Sequence, residues 1–411
     1  MSTPPAPPFP STFPRTRLDS ESGIFPAAPF SLPVLAMSET PAVLPSILAL
    51  RPAELEVILA ELGEKSYRLK QVQEWVFQKR VESFDAMSNL SKPLKEALAS
   101  RLALRTMTYA RVEGSEDTTR KFLFKLHDGR FIETVLIPAS PSLYGERSDR
   151  RTLCVSSQVG CAYDCKFCAS GLAGFTRNLS AGEIVEQIIQ AEKLAGARVD
   201  NLVFMGMGEP LANLTNVMQA IEVLNAQWGV NIGARHMTVS TSGLAPQIHK
   251  LADFPLQVRL AISLHGASNE VRNQIMPVNR KYPLEELFPA LEYWNSKKKQ
   301  RLTFEFILID GVNDSLEQAR LLGEHASRLD AKVNLIPYNT VEGLQWKRPS
   351  ERRQDTFRDI VASHDVMTTL RREKGHDIAA ACGQLRLKQE TEEGIITSPV
   401  PEKRKTISSG A

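Results

Sequence analysis

An α/β fold organised as a partial (β/α)6 barrel is predicted for the larger, C-terminal part of this sequence, and three observations carry the prediction. Six β-rich runs, "TLCVSS", "NLVFMG", "HMTVSTSG", "VRLAISLHG", "LTFEFILIDG" and "KVNLIPYN", alternate with helical stretches from residue 151 onward, and such units imply parallel strands with helices outside. Local start signals open two of the helices: Ser180 with Glu183 forms a capping box before "IVEQIIQAEKLAG", and Ser315 is placed to cap "LEQARLLGEHASRL". Residues able to do chemistry follow the strands: Cys161 to Cys168, Gly208 and Glu209, Ser240 to Gly243, His265 and Asn339. That is the end at which such folds bind ligands.

Residues 1–45 hold 11 of the 25 prolines and begin "MSTPPAPPFPSTFP", so this extension is expected to be disordered. It lacks the continuous apolar stretch of a secretory signal, Asp19 and Glu21 interrupt the basic character of a transit peptide, and Met37 is an alternative start. Residues 46–106 read as a small helical accessory domain. In "RPAELEVILAELG" Pro52 suits a first turn and Gly63 a stop; "YRLKQVQEWVFQK" follows with Leu69, Val72, Val76 and Phe77 at helical spacing; a third helix starts at Ser91. Residues 107–150 are a linker containing "KFLFKLHDGRFIETVLI", a hairpin turning at Asp128 and Gly129. Alternation puts Phe131, Glu133, Val135 and Ile137 on one face of its second strand. Glu133 is the odd member of that stripe. Spacing alone favours a carboxylate facing solvent on an edge strand over a base in a buried site. The barrel then occupies 151–388, and 389–411 is a polar, flexible tail.

At 411 residues the chain exceeds a single core and implies more than one folding unit. A hydrophobic content of 42% with 24% charged residues is that of a soluble globular protein, and no apolar run approaches the ~20 residues of a membrane span. Five cysteines, an odd number with three tightly grouped, do not form a secreted disulfide framework. A reducing cytoplasm is the expected setting. The net charge of +3 is too small to attract a polyanion by itself, so nucleic acid would meet local patches: Lys297 to Lys299 with Arg301; Lys347, Arg348, Arg352 and Arg353; Arg371, Arg372 and Lys374. Solvated helix ends explain those patches equally well.

The chemistry concentrates in "GCAYDCKFCASG", where Cys161, Cys165 and Cys168 fall within eight positions. Three thiolates from one loop can hold three irons of a [4Fe-4S] cube and leave the fourth open. A zinc site would want a fourth ligand and paired spacings from two places, and a ferredoxin-like cluster would use four cysteines in a tighter series. Cys154 and Cys382, taken singly, read as buried small hydrophobes, His265 as a strand-end histidine, and Ser240 as a turn former.

The CxxxCxxC spacing with Phe167 before the last cysteine resembles the signature of the radical S-adenosylmethionine (SAM) superfamily, and "FMGMGEP" is similar to its Gly-Glu motif. More specifically, "FIETVLIP", "LCVSSQVGCAYDCKFCASGLAGFTRNL", "MGMGEPLANL", "TVSTSG", "LAISLHG", "NLIPYN" and "AACGQL" occur in the order of the bacterial radical-SAM rRNA adenine-C2 methyltransferase family, RlmN. The resemblance runs from about residue 46 to 388 and includes "MSNLSKPLKEAL". Residues 1–45 lie outside it, as does "PASPSLYGERSDR", which is longer than the pattern expects.

The resemblance implies a radical-SAM barrel with one [4Fe-4S] cluster on Cys161, Cys165 and Cys168, and SAM on Gly208, Glu209, Ser240, Ser263, Leu264, His265 and Asn339. It implies that Cys382 carries a methyl group from which a 5′-deoxyadenosyl radical takes hydrogen, that Glu133 removes the adenine C2 proton, and that Cys154 attacks the Cys382 sulfur to release the product through a transient disulfide. On this point it reverses the solvent-facing reading of Glu133. The implied partners are 23S rRNA, tRNA next to the anticodon, and a reducing donor such as flavodoxin, acting on a cytoplasmic monomer without a membrane. A sister group methylating adenine C8 shares the cysteines, and a non-catalytic metal-cluster RNA-binding module is the alternative from another class.

Overall fold

The computed structural model describes residues 44–115, 118–139, 150–172, 174–341 and 344–371, with Leu172 described in its backbone alone. The proline-rich residues 1–43, most of the long "PASPSLYGERSDR" segment, Cys382 and the tail lie outside the described residues. The strands are β1 (Met107–Gly114), β2 (Arg120–Leu126), β3 (Phe131–Pro138), β4 (Arg151–Cys154), β5 (Gln158–Gly160), β6 (Phe175–Asn178), β7 (Asn201–Phe204), β8 (Met237–Thr241), β9 (Arg259–Ser263), β10 (Thr303–Leu308), β11 (Lys332–Pro337) and β12 (Thr368–Leu370). Ten of them form one sheet in the order β1-β2-β3-β4-β7-β8-β9-β10-β11-β12, and β5 pairs with β6 separately. From β1 to β4 neighbours run antiparallel, and from β4 to β12 they run parallel.

The six parallel runs read from the sequence are β4 and β7 to β11, and β12 adds a seventh parallel strand that the sequence reading did not contain. The expected hairpin is present as β2 and β3. Its turn carries Gly129 at φ +81°, with the Gly129 N–H donating to the Leu126 carbonyl at 3.0 Å and the Leu126 N–H to the Arg130 carbonyl at 2.7 Å. With β1 it makes a meander of three strands. The edge-strand expectation for Glu133 is overturned: β4 pairs along the free side of β3, so β3 is an interior strand and Phe131 to Leu136 are buried on both faces.

Register explains the division of the sheet into two faces, because residues opposite each other on paired strands point the same way. Leu153, Leu202, Val239, Ile262, Phe304 and Leu335 are on the helix-covered face, all essentially inaccessible, each contributing roughly 1.5–3 kcal/mol. Residues one position away face inward and are largely polar: Cys154, Thr238, Ser240, Ser263, Glu305 and Asn334. Strands long enough to bury one face thus line a site with the other.

The helices begin where the sequence places their caps. Ser91 accepts from Leu94 N–H, Ser180 and Glu183 cap reciprocally, and Ser315 accepts from Gln318 N–H. The second helix is shorter than its pattern suggests. It runs Tyr67–Gln73 and continues as a π-helical turn over Glu74–Gln78, closed by the Lys79 N–H to the Glu74 carbonyl at 2.9 Å.

Helix Ala181–Ala195 is buried around its circumference, so each of its polar side chains must find a partner. Arg177 holds Glu183 with two bonds of 2.8 and 2.9 Å; Glu186 accepts from Thr106 N–H and Oγ1 at 2.7 Å each; Glu192 pairs with Arg80 and accepts from Val199 N–H at 2.6 Å. Gln187 donates to the Ser156 carbonyl at 2.9 Å and accepts from Ser156 N–H and Thr134 Oγ1 at 2.8 Å each. No helix among the described residues is long and apolar enough to cross a membrane.

Gly160, the last residue of β5, has φ +74°, and a Cβ there would stand 1.9 Å from the Gly174 carbonyl oxygen. Both side-chain strain and a backbone clash oppose any larger residue. Gly160→Ala is expected to cost more than about 1 kcal/mol in urea unfolding; an unchanged midpoint would show that the hairpin opens freely at this crossing.

Candidate functional site

The cysteine loop leaves β5 and is tied at three places. Cys161 N–H donates to the Gly174 carbonyl at 2.8 Å, Cys168 N–H to the Cys165 carbonyl at 3.0 Å, and Lys166 N–H to the Ile275 carbonyl of helix Asn269–Ile275 at 2.9 Å. Asp164 turns the chain with φ +46° and is ion-paired to Lys166. The three cysteines are partly exposed, and all line one cavity of about 150 Å³.

Burial pushes the Cys161 thiol up to about 12 and Cys165 well up, with neighbouring cysteines raising them further. Such thiols ionise only when a cation compensates them, which is what bound iron does. Among the described residues no three His, Cys, Asp or Glu side chains converge as ligands of a single ion would. Three thiols lining one shared cavity suit a group that offers each sulfur its own iron. The residues present therefore fit a cluster better than a zinc ion.

Opposite the loop, the chain after β7 approaches the backbone after β4 so closely that only glycine fits. A Cβ on Gly206 would lie 2.7 Å from the Val155 carbonyl group, and Gly208, at φ +98°, would meet the Gln158 side chain at 2.5 Å. Glu209 is thereby fixed inside: its Oε1 accepts from Leu211 N–H at 3.0 Å and its Oε2 from Ser242 N–H at 2.7 Å. Burial raises its pKa, opposed by those two N–H groups.

His265 follows β9 with φ +56°. Its Nδ1 accepts the Ile307 N–H at 3.0 Å, which assigns the proton to Nε2, and Phe167 meets the ring edge-on at 4.7 Å between centroids. Burial, with Arg272 nearby, pushes its pKa down to about 3, so the ring is neutral. Ser240 Oγ and Ser263 Oγ lie 3.5 Å apart in the cavity wall. Leu264 contributes backbone: its N–H donates to the Glu305 carbonyl at 3.0 Å, and its carbonyl accepts from Arg272 Nη1 at 2.5 Å. Asn339 is buried after β11 and accepts from Arg348 Nη2 at 3.3 Å.

The cavity brings together Cys161, Cys165, Cys168, Gly208, Glu209, Ser240, Ser263 and His265. Leu264, Asn339, Glu133 and Cys154 are not in its wall. Glu133 and Cys154 are neighbours elsewhere on the inward face, because Cys154 is paired with Val135, two residues along β3 from Glu133. Glu133 is 5% exposed and ion-paired with the buried Lys121 at 3.3 Å, and its carbonyl accepts from Ser156 Oγ at 2.6 Å. Cys382 lies outside the described residues.

Sequence reasoning missed Arg272, which is inaccessible and has no carboxylate partner among the described residues. Its guanidinium instead donates to Asn279 Oδ1 at 2.8 Å, the Ser242 carbonyl at 3.0 Å and the Leu264 carbonyl at 2.5 Å, joining the ends of β8 and β9 behind the cavity. No local pattern marks it, since its acceptors are backbone oxygens 8 and 30 residues away. Of the basic stretches, Lys298 is buried on the Phe254 and Leu256 carbonyls, while Lys297 pairs with Asp253 and Arg301 with Asp330. That stretch is largely engaged within the protein.

A histidine held at about 3 against an ordinary 6.5 takes up its proton more readily in the unfolded chain. Its contribution to stability is complete above pH 6.5 and falls as pH drops toward 3. Asn at this position keeps an acceptor and tolerates the left-handed backbone. Relative to His265→Asn, the wild-type protein should gain roughly 1.4 kcal/mol per pH unit between pH 4 and 6 in denaturant titrations; a flat difference would mean that the ring is not neutral when buried.

A model of the radical SAM superfamily matches residues 155–322, and a model of the ribosomal RNA large subunit methyltransferase N-terminal domain matches 46–104. The "Probable dual-specificity RNA methyltransferase RlmN" of Akkermansia muciniphila is 56% identical over 355 residues, covering 86% of this chain and 99% of that one. The dual-specificity RNA methyltransferase RlmN of Campylobacter fetus is 45% identical over 342 residues, 81% of this chain and 97% of its own. The crystal structure of a radical SAM methyltransferase from Sphaerobacter thermophilus superposes with a TM-score of 0.79 at 43% identity, over 84% of this chain and 99% of that one. A [4Fe-4S] cluster and SAM are the cofactors of such an enzyme. Matched over most of its length, this chain belongs to the RlmN family of radical SAM dual-specificity RNA methyltransferases.

Proposed function

We propose that this enzyme methylates C2 of an adenine in 23S rRNA, and of the adenine next to the anticodon in tRNA. The observation that carries this reading is the register of β3 on β4, which sets a buried carboxylate, Glu133, diagonally beside the buried Cys154 on the inward face. A carboxylate and a second thiol are what C2 methylation through a cysteine tether requires, beyond what a generic radical enzyme needs.

Held at Cys161, Cys165 and Cys168 and in the cavity beside them, the cluster and SAM would supply a methyl group, the means to remove a hydrogen atom from it, and an acceptor for the single electron released when the RNA adduct loses its C2 proton. In this reading Gly208, Glu209, Ser240, Ser263, Leu264, His265 and Asn339 hold SAM, with the neutral His265 offering an Nε2–H donor. Cys382 carries the methyl group on sulfur and tethers its carbon to adenine C2. Glu133 takes the C2 proton, and Lys121 stands beside it as counter-charge. The Cys154 thiolate then attacks the Cys382 sulfur. A sulfur–sulfur bond forms, the carbon–sulfur bond breaks with its electron pair left on carbon, and that carbon takes a proton to become the product methyl. Two electrons from an external thiol return the disulfide to its starting state.

Adenine C2 faces the minor groove of a paired base, so the target must be unpaired or flipped outward. Residues 46–106 and the basic stretches at 297–301, 347–353 and 371–374 are proposed to hold the RNA. A flavodoxin-type electron donor, a monomeric state and a cytoplasmic setting complete the reading.

Mass spectrometry of rRNA from a deletion strain complemented with this gene is expected to restore 2-methyladenosine; C8 methylation without C2 methylation would place the enzyme in the sister group. Anaerobic reconstitution should yield four irons per chain and reductive SAM cleavage, and the absence of either would leave a non-catalytic zinc or iron-sulfur RNA-binding module. Cys154→Ala should stop after a single turnover, with RNA covalently held on Cys382 and visible as a slow band in denaturing gels. Cys382→Ala should give neither methyl carrier nor adduct. Normal multiple turnover by either variant contradicts the mechanism.

A further inference from the structure

Glu305 sits on β10 with Ser263 opposite it on β9 and Asn334 opposite it on β11, and it shares the cavity wall with Ser263. It is 5% exposed. Asn334 Nδ2 donates to Oε1 at 2.9 Å, whereas Oε2 is buried and has no hydrogen-bond partner among the described residues. The other carboxylate of the cavity is different, because both oxygens of Glu209 already accept backbone N–H groups. Leaving a carboxylate oxygen buried without a donor is costly, and folds retain such a group where a ligand completes it.

The surrounding wall indicates which part of the ligand does so. Two positions farther along the same strands, Ile307 and Ile336 face each other and line the cavity, giving an apolar seat for a flat heteroaromatic base. The cysteine loop and Glu209 also line the cavity, and they suit the amino-acid end of the ligand. Polar wall remains at Ser240, Ser263 and Glu305. We propose that Glu305 binds the ribose of SAM, its open Oε2 accepting a hydrogen bond from a sugar hydroxyl while Asn334 fixes the other oxygen. This rests on the reading that the cavity takes SAM, and it adds a residue on β10 to the proposed SAM-binding set.

The test is equilibrium binding to the anaerobically reconstituted holoenzyme, with Glu305→Gln checked for unchanged iron content and unfolding temperature. Two probes are used: SAM, and 5′-deoxyadenosine, which keeps the nucleoside but lacks the sulfonium and the amino acid. A lost hydrogen bond to a charged acceptor should weaken both by a similar factor, about 10- to 100-fold. Weakening of SAM alone would overturn the assignment, because the carboxylate would then be reading the positive charge. Equal binding by variant and wild type would also overturn it. Should the variant fail to fold, the wild-type enzyme with the 2′-deoxy and 3′-deoxy forms of 5′-deoxyadenosine decides: loss of one hydroxyl should weaken binding by the same factor, and indifference to both refutes the contact. Absence of any SAM binding by the wild-type holoenzyme would instead sink the reading of the cavity itself.

Discussion

A helix surrounded by protein cannot leave its polar side chains to water, and this requirement on Ala181–Ala195 organises much of the molecule. Its glutamates and Gln187 are satisfied from four directions. Arg177 comes from the strand that returns from the cysteine loop, Thr106 and Arg80 from the N-terminal helical segment, and Thr134 and Ser156 from β3 and the end of β4. Losing any one partner would strand a buried acceptor or charge, at a cost of roughly 1–3 kcal/mol for a neutral group and more for a charged one. The helix therefore holds the cysteine loop, the accessory helices and the Glu133–Cys154 neighbourhood in one fixed relation, without itself touching the cavity.

Arg272 plays a comparable part on the far side. A guanidinium satisfied by backbone carbonyls ties the ends of β8 and β9 together, and Ser242, whose carbonyl it takes, gives its own N–H to Glu209. Cavity carboxylate, strand ends and buried cation are thus linked through successive hydrogen bonds, and the chemistry-bearing side chains sit on backbone that has little freedom to move.

What could be read in the sequence was what local physics encodes. The caps at Ser91, Ser180 and Ser315, the Asp128-Gly129 turn and the clustered cysteines each need only a few adjacent residues, and each recurs in the folded chain. Glu133 was misread from spacing because its exposure depends on whether another strand closes over β3, and β4 does so from across a long connection. The resemblance to a family supplied what periodicity could not. β12 escaped notice since three residues carry no period, and Arg272, Gln187 and Glu305 because their meaning resides in partners distant along the chain. The apolar face was legible residue by residue; the polar face became a site only once register aligned it.

The pairing of Val135 with Cys154 has an evolutionary corollary. A side-chain period of two means that a single-residue insertion within β3 or β4 would rotate Glu133 or Cys154 onto the helix-covered face, so such changes can be accepted only in pairs. The segment joining those strands is under no such arithmetic. The count that matters is within the strands, since a change of length between them leaves the facing of Glu133 and Cys154 to the pairing of β3 with β4 alone.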